Sequence, residues 1–363
     1  MGSILKFSRT EHEHLSMGPI VNYIDYNYGF YPIEDDSIIV LEFNGNVDDH
    51  PDLFNLLKQH KDTDVKFLLC YVSDPLADFK LEETKKYLYN LIEKERIFFL
   101  TSNTLLIGDD IISFDYFLEE STWVSYHDIF SMQPNDLGYV SQDIEIDELD
   151  TIRTKKFLSF NRNVNKKHRL NLLQLYLSHL KKDSLFSFLF FEEEMCEIYN
   201  KEDYVDNWLE HIPIELDTNG ELTQFRTSDT LRKDLFLDTC INIVTETSFD
   251  FNELFISEKI LKPILMYQPF IVLGPVDYLK RLKRYGFKTF SDFWDESYDD
   301  ISDDTERFNK VRELILSLNE MSIEEMNELY QKTKEICIFN RQLHQRMSIN
   351  SIPKILERIQ NEW

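Results

Sequence analysis

Apolar runs of strand length alternate with helical stretches along the first third of the chain. The runs SIIVLEF, VKFLLCYV, IFFLTSN and IISFDYFL begin at residues 37, 65, 97 and 111, and the helical stretches DLFNLLKQH and ETKKYLYNLIEKE begin at residues 52 and 83. Runs that stay apolar on successive residues are typical of parallel strands that are buried on both faces. The pattern therefore predicts an amino-terminal α/β layer.

The alternation resumes between residues 240 and 290. INIV at 241–244 and FIVLG at 270–274 are apolar runs closed by polar residues or glycine. A short helix is predicted between them, with its apolar face at Ile260, Leu261, Ile264 and Leu265. Ser257 can cap this helix. Because proline lacks an N–H, either the helix bends at Pro263 or it begins near Lys262 with Pro263 in its first position.

Length and charge pattern together predict two domains. The chain has 363 residues, of which 42% are hydrophobic, enough to fill two cores. The tract SQDIEIDELD at 141–150 is acidic, whereas the stretch that follows is basic. We therefore predict an amino-terminal α/β domain at 1–150 and a second α/β domain at 151–335, with a carboxyl-terminal helix at 336–363.

The basic stretch at 151–182 contains nine Lys or Arg residues and no Asp or Glu, in a chain whose formal net charge is -27. The overall charge argues against nucleic acid or anionic lipid as a partner for a broad surface. The local inversion suits one small anionic ligand. Arg162 follows a predicted strand, and its guanidinium fork is well matched to a diphosphate. Arg169 lies near the start of the helix that comes next.

Cysteine usage and apolar runs bear on the compartment. Cys70, Cys196, Cys240 and Cys337 occur singly, which indicates neither a zinc ribbon nor a disulfide framework and favours the cytoplasm. The first residues lack the apolar core of a signal peptide, and no run is long enough to span a bilayer. His12 and His14 have no third ligand at useful spacing, so we expect no metal.

Glu258 and Lys259 lie where the short helix begins, at the carboxyl edge of a predicted strand. Free amides and the helix dipole favour phosphate at such a place, and open α/β sheets bind ligands at this edge. An isolated surface pair of this kind contributes at most about 1 kcal/mol. The strand and glycine turn around it favour a binding role.

The segments VTETSFDFNELFISEKILKP and PFIVLGP resemble the donor site of glycosyltransferase family 10, the fucosyltransferase-like enzymes of the GT-B architecture, and YLKRLKRYGFKTFSDFWDESYDD resembles a segment of related sugar transferases. The resemblance covers about residues 153–345, with a longer insertion before Glu-Lys than is usual. It implies two Rossmann-like domains with a cleft between them, and a terminal helix that returns to the first domain. It also implies sugar transfer from a nucleotide-diphosphate donor, GDP-linked by family analogy, to a hydroxyl of a glycan or glycolipid acceptor. This transfer would invert the configuration at the anomeric carbon of the sugar and need no metal or other cofactor.

The resemblance assigns Glu258 to the ribose hydroxyls and Lys259 and Arg162 to the diphosphate. The wider set of donor-site candidates adds Asn161, Arg169, Thr245, Glu246, Ser257 and Gly274. The family takes its general base from the amino-terminal domain. Asp74, just after VKFLLCYV, and Glu42, in the first strand, are the candidates.

Two alternatives remain open at this point. A metal-dependent GT-A transferase would need an Asp-x-Asp pair, but the pairs Asp48-Asp49 and Asp109-Asp110 lack that spacing and suit turns. A catalytically inactive nucleotide-sugar-binding or scaffold protein could have the same fold. It predicts donor binding without transfer or hydrolysis.

Overall fold

The computed structural model describes residues 7–8, 24, 30–34, 37–42, 51–71, 78–101, 108–113, 143–164, 166–190, 208–216, 231–249, 254 and 256–346. The described residues form two compact units, one holding residues 7–113 and 254 and the other residues 143–249 and 256–346. Each unit is built on a sheet whose paired strands are all parallel. The predicted α/β class with parallel sheets is confirmed.

Within its described residues, the sheet of the first unit has five strands in chain order, and helices lie between them. They are β1 (Phe7–Ser8), β2 (Ile38–Glu42), α1 (Pro51–Gln59), β3 (Lys66–Tyr71), α2 (Asp78–Leu88), β4 (Ile97–Thr101) and β5 (Ile111–Ser113). A 3-10 turn at Lys94–Arg96 precedes β4. The four apolar runs of the first third thus form β2 to β5, as predicted.

The core of the first unit follows the two-residue period of its strands. Alternate strand positions meet one apolar face of each helix; these residues are Ile39, Leu41, Phe67, Leu69, Ile97, Phe99, Leu53, Leu57, Leu81 and Leu88. The intervening positions Val40, Leu68 and Phe98 are buried as well. Burial on both faces explains why these strands are apolar throughout rather than alternating.

The second unit has a four-stranded sheet with the order β7-β6-β8-β9. Its elements are β6 (Lys155–Asn163), α3 (Lys167–Leu175), β7 (Ser184–Phe190), α4 (Lys233–Asp238), β8 (Thr239–Thr245), α5 (Leu261–Leu265), β9 (Phe270–Leu273), α6 (Tyr278–Arg284), α7 (Asp304–Asn319) and α8 (Ile323–Arg346). A π-helical turn at Tyr176–Leu180 extends α3, and 3-10 turns lie at Ile146–Asp150, Trp208–His211, Glu258–Ile260 and Ser297–Asp300. The strand order reverses between β6 and β8, which makes this position the switch point where open α/β sheets bind ligands.

The short helix after β8 differs from both versions predicted from the sequence. The 3-10 turn Glu258–Ile260 leads directly into α5, in which Pro263 is the third residue. Proline is tolerated in the first turn of an α-helix, and Pro263 lies in the first turn of α5. The predicted cap is confirmed, because the Ser257 hydroxyl accepts a hydrogen bond from the backbone N–H of Lys259 at 3.3 Å.

The predicted domain limits fall in the acidic tract and in the long helix α8. Of the acidic tract, residues 143–150 are described, and they join the second unit through ion pairs of Asp150 with Lys334 at 2.5 Å and of Asp143 with Arg341 at 2.7 Å. Helix α8 runs through residues 335 and 336 without a break, and residues beyond 346 lie outside the description. The limits themselves stay predictions. No helix within the described ranges is long and apolar enough to cross a membrane.

Candidate anion-binding site

A cavity of about 380 Å³ lies where β6 and β8 end. Its lining includes the last residues of β6, at positions 161–163, and Thr245, the last residue of β8. Glu258 and Lys259 line it too. Because β6 and β8 flank the point where the strand order reverses, the cavity lies at the switch point of the sheet.

Positive charge dominates the lining of this cavity. Among the described residues that line it, four are cations and one is a carboxylate, Glu258. The cations are Arg162, Arg169, Lys259 and Lys262. In a chain with a formal net charge of -27, such a local excess requires a specific arrangement. It would attract and hold a compact anion.

Lys259 is held in a defined position inside the cavity. Its ammonium nitrogen lies 3.0 Å from Oγ1 of Thr247, 3.3 Å from Oγ of Ser257 and 3.0 Å from Oε1 of Glu258. Burial by itself would raise the pKa of Glu258, but the charge and hydrogen bond of Lys259 hold that pKa below its ordinary value. Glu258 is therefore an ionised acceptor, available to hydroxyl donors.

Arg169 reaches the same cavity from the first turn of α3. Its Nη1 donates to the carbonyl of Asn163 at 3.2 Å, and its Nη2 donates to the carbonyl of Glu246 at 2.9 Å. Its Nε is buried and has no hydrogen-bond partner within the described structure. Burial lowers the pKa of Arg169, yet a guanidinium stays charged in proteins. The side chain is thus a buried cation with an unused donor.

His168, next to Arg169, adds no charge to the site. Its Nε2 lies 3.0 Å from the carbonyl oxygen of Glu246, and its ring stacks on Phe249 with the centroids 5.0 Å apart. Burial and the neighbouring Arg169 hold the pKa of His168 well below its ordinary value. The imidazole is therefore neutral near pH 7.

Asn161 and Thr245, both predicted site residues, meet within this lining. Oγ1 of Thr245 donates to Oδ1 of Asn161 at 2.7 Å, and Nδ2 of Asn161 donates to Oγ of Ser159 at 3.1 Å. The Ser159 hydroxyl donates in turn to the carbonyl of Ile243 at 2.7 Å. This buried chain of hydrogen bonds fixes the amide of Asn161 between the two strand ends.

Three other predicted residues lie behind the cavity. Among the described residues, its lining does not include Glu246, Ser257 or Gly274, and the first two are 0% exposed. A Cβ on Gly274 would lie 3.1 Å from Cγ1 of Val272 and 3.2 Å from Cδ2 of Tyr278. The absence of a side chain at Gly274 thus permits close packing next to Glu246.

The two candidate bases belong to the first part of the chain. Glu42 is the last residue of β2, where it pairs in register with Cys70 of β3, and Asp74 lies outside the described residues. Their assignment stays a prediction.

Lys262 and Phe160 are cavity residues that the sequence analysis did not assign. Lys262 is 8% exposed, and its ammonium nitrogen lies 5.1 Å from the centroid of the Phe160 ring. Helical spacing offered a signal, since residues three apart share a face and Lys262 follows Lys259 by three.

Of the two acidic pairs considered as a metal site, only Asp109-Asp110 lies within the described residues. Asp110 accepts a hydrogen bond from Nζ of Lys85 at 2.7 Å and another from the Tyr89 hydroxyl. Nowhere in the described ranges do three His, Cys, Asp or Glu side chains come together as metal ligands.

Comparison with known proteins gives fold-level similarity only. No family model and no curated protein matches the chain. An α1,3-fucosyltransferase structure is similar at 12% identity and a TM-score of 0.45, covering 99% of this chain and 89% of that one. A structure of α1,3-fucosyltransferase with GDP gives 10% identity and a TM-score of 0.36, with 94% and 92% covered.

Two further solved structures fall in the same range. The amino-terminal domain of trehalose-6-phosphate phosphatase from Candida albicans has 11% identity and a TM-score of 0.43, covering 93% of this chain and 72% of that one. The spinosyn rhamnosyltransferase SpnG has 11% identity and a TM-score of 0.33, with 91% and 76% covered. Scores this low assign the chain to neither a family nor a function.

Proposed function

We propose that this chain is a glycosyltransferase that moves a sugar from a nucleotide-diphosphate donor to a hydroxyl of a glycan or glycolipid acceptor. The observation that carries the proposal is the cavity at the switch point of the second sheet, with four cations and the single carboxylate Glu258 among its described lining residues. A nucleotide-sugar has the matching chemistry, because its diphosphate needs cations and its ribose hydroxyls need an acceptor.

The charged side chains of the cavity other than Lys262 then have roles in donor binding. Lys259, Arg162 and Arg169 bind the diphosphate, and the ionised carboxylate of Glu258 accepts hydrogen bonds from the ribose hydroxyls. The resemblance to family 10 favours a GDP-linked sugar. The proposal places this enzyme in the cytoplasm, in keeping with the scattered cysteines of its sequence.

The chemistry follows from the charge that develops on the leaving group. An acceptor hydroxyl attacks the anomeric carbon, the bond from that carbon to the diphosphate oxygen breaks, and the configuration inverts. A general base, Asp74 or Glu42, takes the hydroxyl proton. Lys259 and the arginines stabilise the departing nucleoside diphosphate, the task that a divalent metal performs in other transferases.

Calorimetric titration with GDP-, UDP-, CMP- and dTDP-linked sugars tests the donor site. We expect one class to bind, and Lys259→Ala to weaken that binding by at least about tenfold, a loss of about 1.4 kcal/mol. Lys334→Ala is the matched control, since the side chain of Lys334 is 23% exposed against 27% for Lys259 and is likewise ion-paired. Absence of binding by every donor would overturn the proposal.

Donor hydrolysis separates the enzyme from an inactive binding protein on the same fold. We expect slow release of free sugar from the bound donor without acceptor, and no loss of this activity in EDTA. Asp74→Asn and Glu42→Gln are then compared for transfer to acceptor. A variant that keeps full turnover excludes its residue as the base.

A further inference from the structure

Glu246 has an unusual position next to the cavity. It directly follows β8, is 0% exposed, and lies outside the lining formed by the described residues. Its carboxylate is surrounded by donors. Oε2 accepts from Oγ of Ser257 at 2.5 Å and from the backbone N–H of Thr247 at 3.3 Å, and Oε1 accepts from the Tyr278 hydroxyl at 2.5 Å and from the backbone N–H of Ser257 at 3.4 Å.

Two of these partners also hold Lys259. The ammonium nitrogen of Lys259 lies 3.0 Å from the hydroxyl oxygen of Thr247 and 3.3 Å from that of Ser257. Since the proton of the Ser257 hydroxyl points to Glu246, its lone pairs are left to face the ammonium group. The carboxylate of Glu246 thereby orients the Ser257 hydroxyl directly and holds the backbone of Thr247, the residue whose hydroxyl is the other contact of Lys259.

The backbone of Glu246 restrains a second cavity cation. Its carbonyl oxygen accepts from Nη2 of Arg169 at 2.9 Å, and the ring nitrogen of His168 lies 3.0 Å from the same oxygen. One buried residue thus contacts the supports of Lys259 through its side chain and Arg169 through its main chain.

We propose that Glu246 is a positioning residue that sets Lys259 and Arg169 in place for anion binding without touching the ligand. The inference rests on the proposed function only in that the cavity takes a diphosphate. A buried carboxylate is costly in free energy unless hydrogen bonds satisfy it. Here those hydrogen bonds reach Ser257 and Thr247, whose hydroxyls contact Lys259, so the buried carboxylate has a role beyond packing.

Glu246→Gln is a sharp probe of this role. Each carboxylate oxygen faces a backbone N–H, that of Ser257 at 3.4 Å or that of Thr247 at 3.3 Å. A glutamine NH₂ group must therefore oppose one backbone donor in either orientation, and a backbone N–H cannot reverse its polarity. Both orientations disturb a residue whose hydroxyl holds Lys259.

A double-mutant cycle with Lys259→Met distinguishes positioning from general stability. Binding of inorganic pyrophosphate is measured by calorimetry for the wild type, Glu246→Gln, Lys259→Met and the double variant. We expect Glu246→Gln to weaken binding by about tenfold in the wild-type background and by less than about twofold in the Lys259→Met background. Equal effects in the two backgrounds, or no effect in the first, would overturn the proposal.

Tyr278→Phe is the matched control. It removes another hydroxyl from the same carboxylate, and Tyr278 is not one of the residues whose oxygen atoms contact the Lys259 ammonium group. We expect it to lower the melting temperature and to leave pyrophosphate affinity within about twofold. If it weakens binding as Glu246→Gln does, the positioning role is wrong and the carboxylate serves stability alone.

A replacement variant and the result for the wild type complete the test. If Glu246→Gln does not fold, Ser257→Ala takes its place in the cycle, and Ser257→Thr, which keeps the hydroxyl, is expected to restore binding. If the wild type binds neither pyrophosphate nor any nucleoside diphosphate, the proposed function fails and the positioning role with it. If the wild type binds and the cycle shows no coupling, only the positioning role fails.

Discussion

The ammonium nitrogen of Lys259 lies 3.0 Å from Oε1 of Glu258, and both side chains are partly exposed to the cavity, at 27% and 22%. This pair places a negative charge among cations that are proposed to bind phosphate. Glu258 therefore opposes the anion while offering an acceptor to the ribose. The two effects differ between a bare diphosphate and a nucleoside diphosphate.

Replacing Glu258 with Gln separates these effects. Loss of the negative charge leaves the cations less neutralised, so inorganic pyrophosphate binds more tightly, by about threefold to tenfold. A nucleoside diphosphate loses a charged acceptor for its hydroxyls, at a cost of about 1.5–3 kcal/mol. Calorimetry of both ligands is expected to show their affinity ratio shifting against the nucleoside by at least about tenfold.

The control for this prediction is Asp150→Asn. It makes the same charge change at a carboxylate that is ion-paired with Lys334 at 2.5 Å and is not among the described lining residues of the cavity. Equal responses of the two ligands to Glu258→Gln would contradict the ribose assignment.

His344 makes the second unit sensitive to acid. Both ring nitrogens are buried without hydrogen-bond partners within the described structure, near the end of α8. Burial, and then the nearby charge of Arg341, lowers the pKa of His344 to about 4 from its ordinary value of 6.5. Between these pH values the unfolded chain therefore binds a proton that the folded chain does not bind. The free energy of unfolding falls as the pH falls through 6.5 toward 4.

His344→Leu is expected to remove this loss. Between about pH 7.5 and about pH 5.5, the free energy of unfolding of the wild type should fall by about 1.3 kcal/mol more than that of the variant. Urea unfolding at the two pH values measures the difference. A wild-type-to-variant difference that does not change with pH would show that the pKa of His344 is the same in the folded and the unfolded protein.

Local signals in the sequence predicted the elements that depend on local physics. Apolar runs located β2 to β5 and β8 because parallel strands covered on both faces must be apolar throughout. The Ser257 cap was predictable for the same reason, since a cap acts within three residues. The clustering of Glu258, Lys259 and Arg162 at one cavity could be expected because parallel strands end at the same sheet edge.

The direction in which each side chain points at that edge could not be predicted from the sequence. Thr245 and Glu246 are neighbours, and both were predicted to bind the donor. In the structure Thr245 lines the cavity, whereas Glu246 turns into the core toward Tyr278. In the sequence, a carboxylate next to a strand end is equally consistent with a group that binds ligand and with a buried group that accepts hydrogen bonds from neighbouring residues. Only the packing of α6 and of the segment around Ser257 shows the difference.

The hydrogen bond between Thr245 and Asn161 joins the ends of β8 and β6 beside the cavity. Thr245→Val keeps the shape but leaves Oδ1 of Asn161 without its 2.7 Å donor, which should lower the free energy of unfolding by about 1–3 kcal/mol. Thr333→Val is the control: Thr333 is 0% exposed, close to the 2% of Thr245, but its hydroxyl donates at 2.9 Å to the carbonyl of Tyr330, three residues earlier on α8. The carbonyl of Tyr330 lies within helix α8, so it remains part of the helix when the hydroxyl is removed. We therefore expect the free energy of unfolding to fall by less than about 1 kcal/mol. Urea unfolding of both variants decides the point, because equal losses would mean that burial of a threonine, rather than the link between the two strand ends, sets the cost.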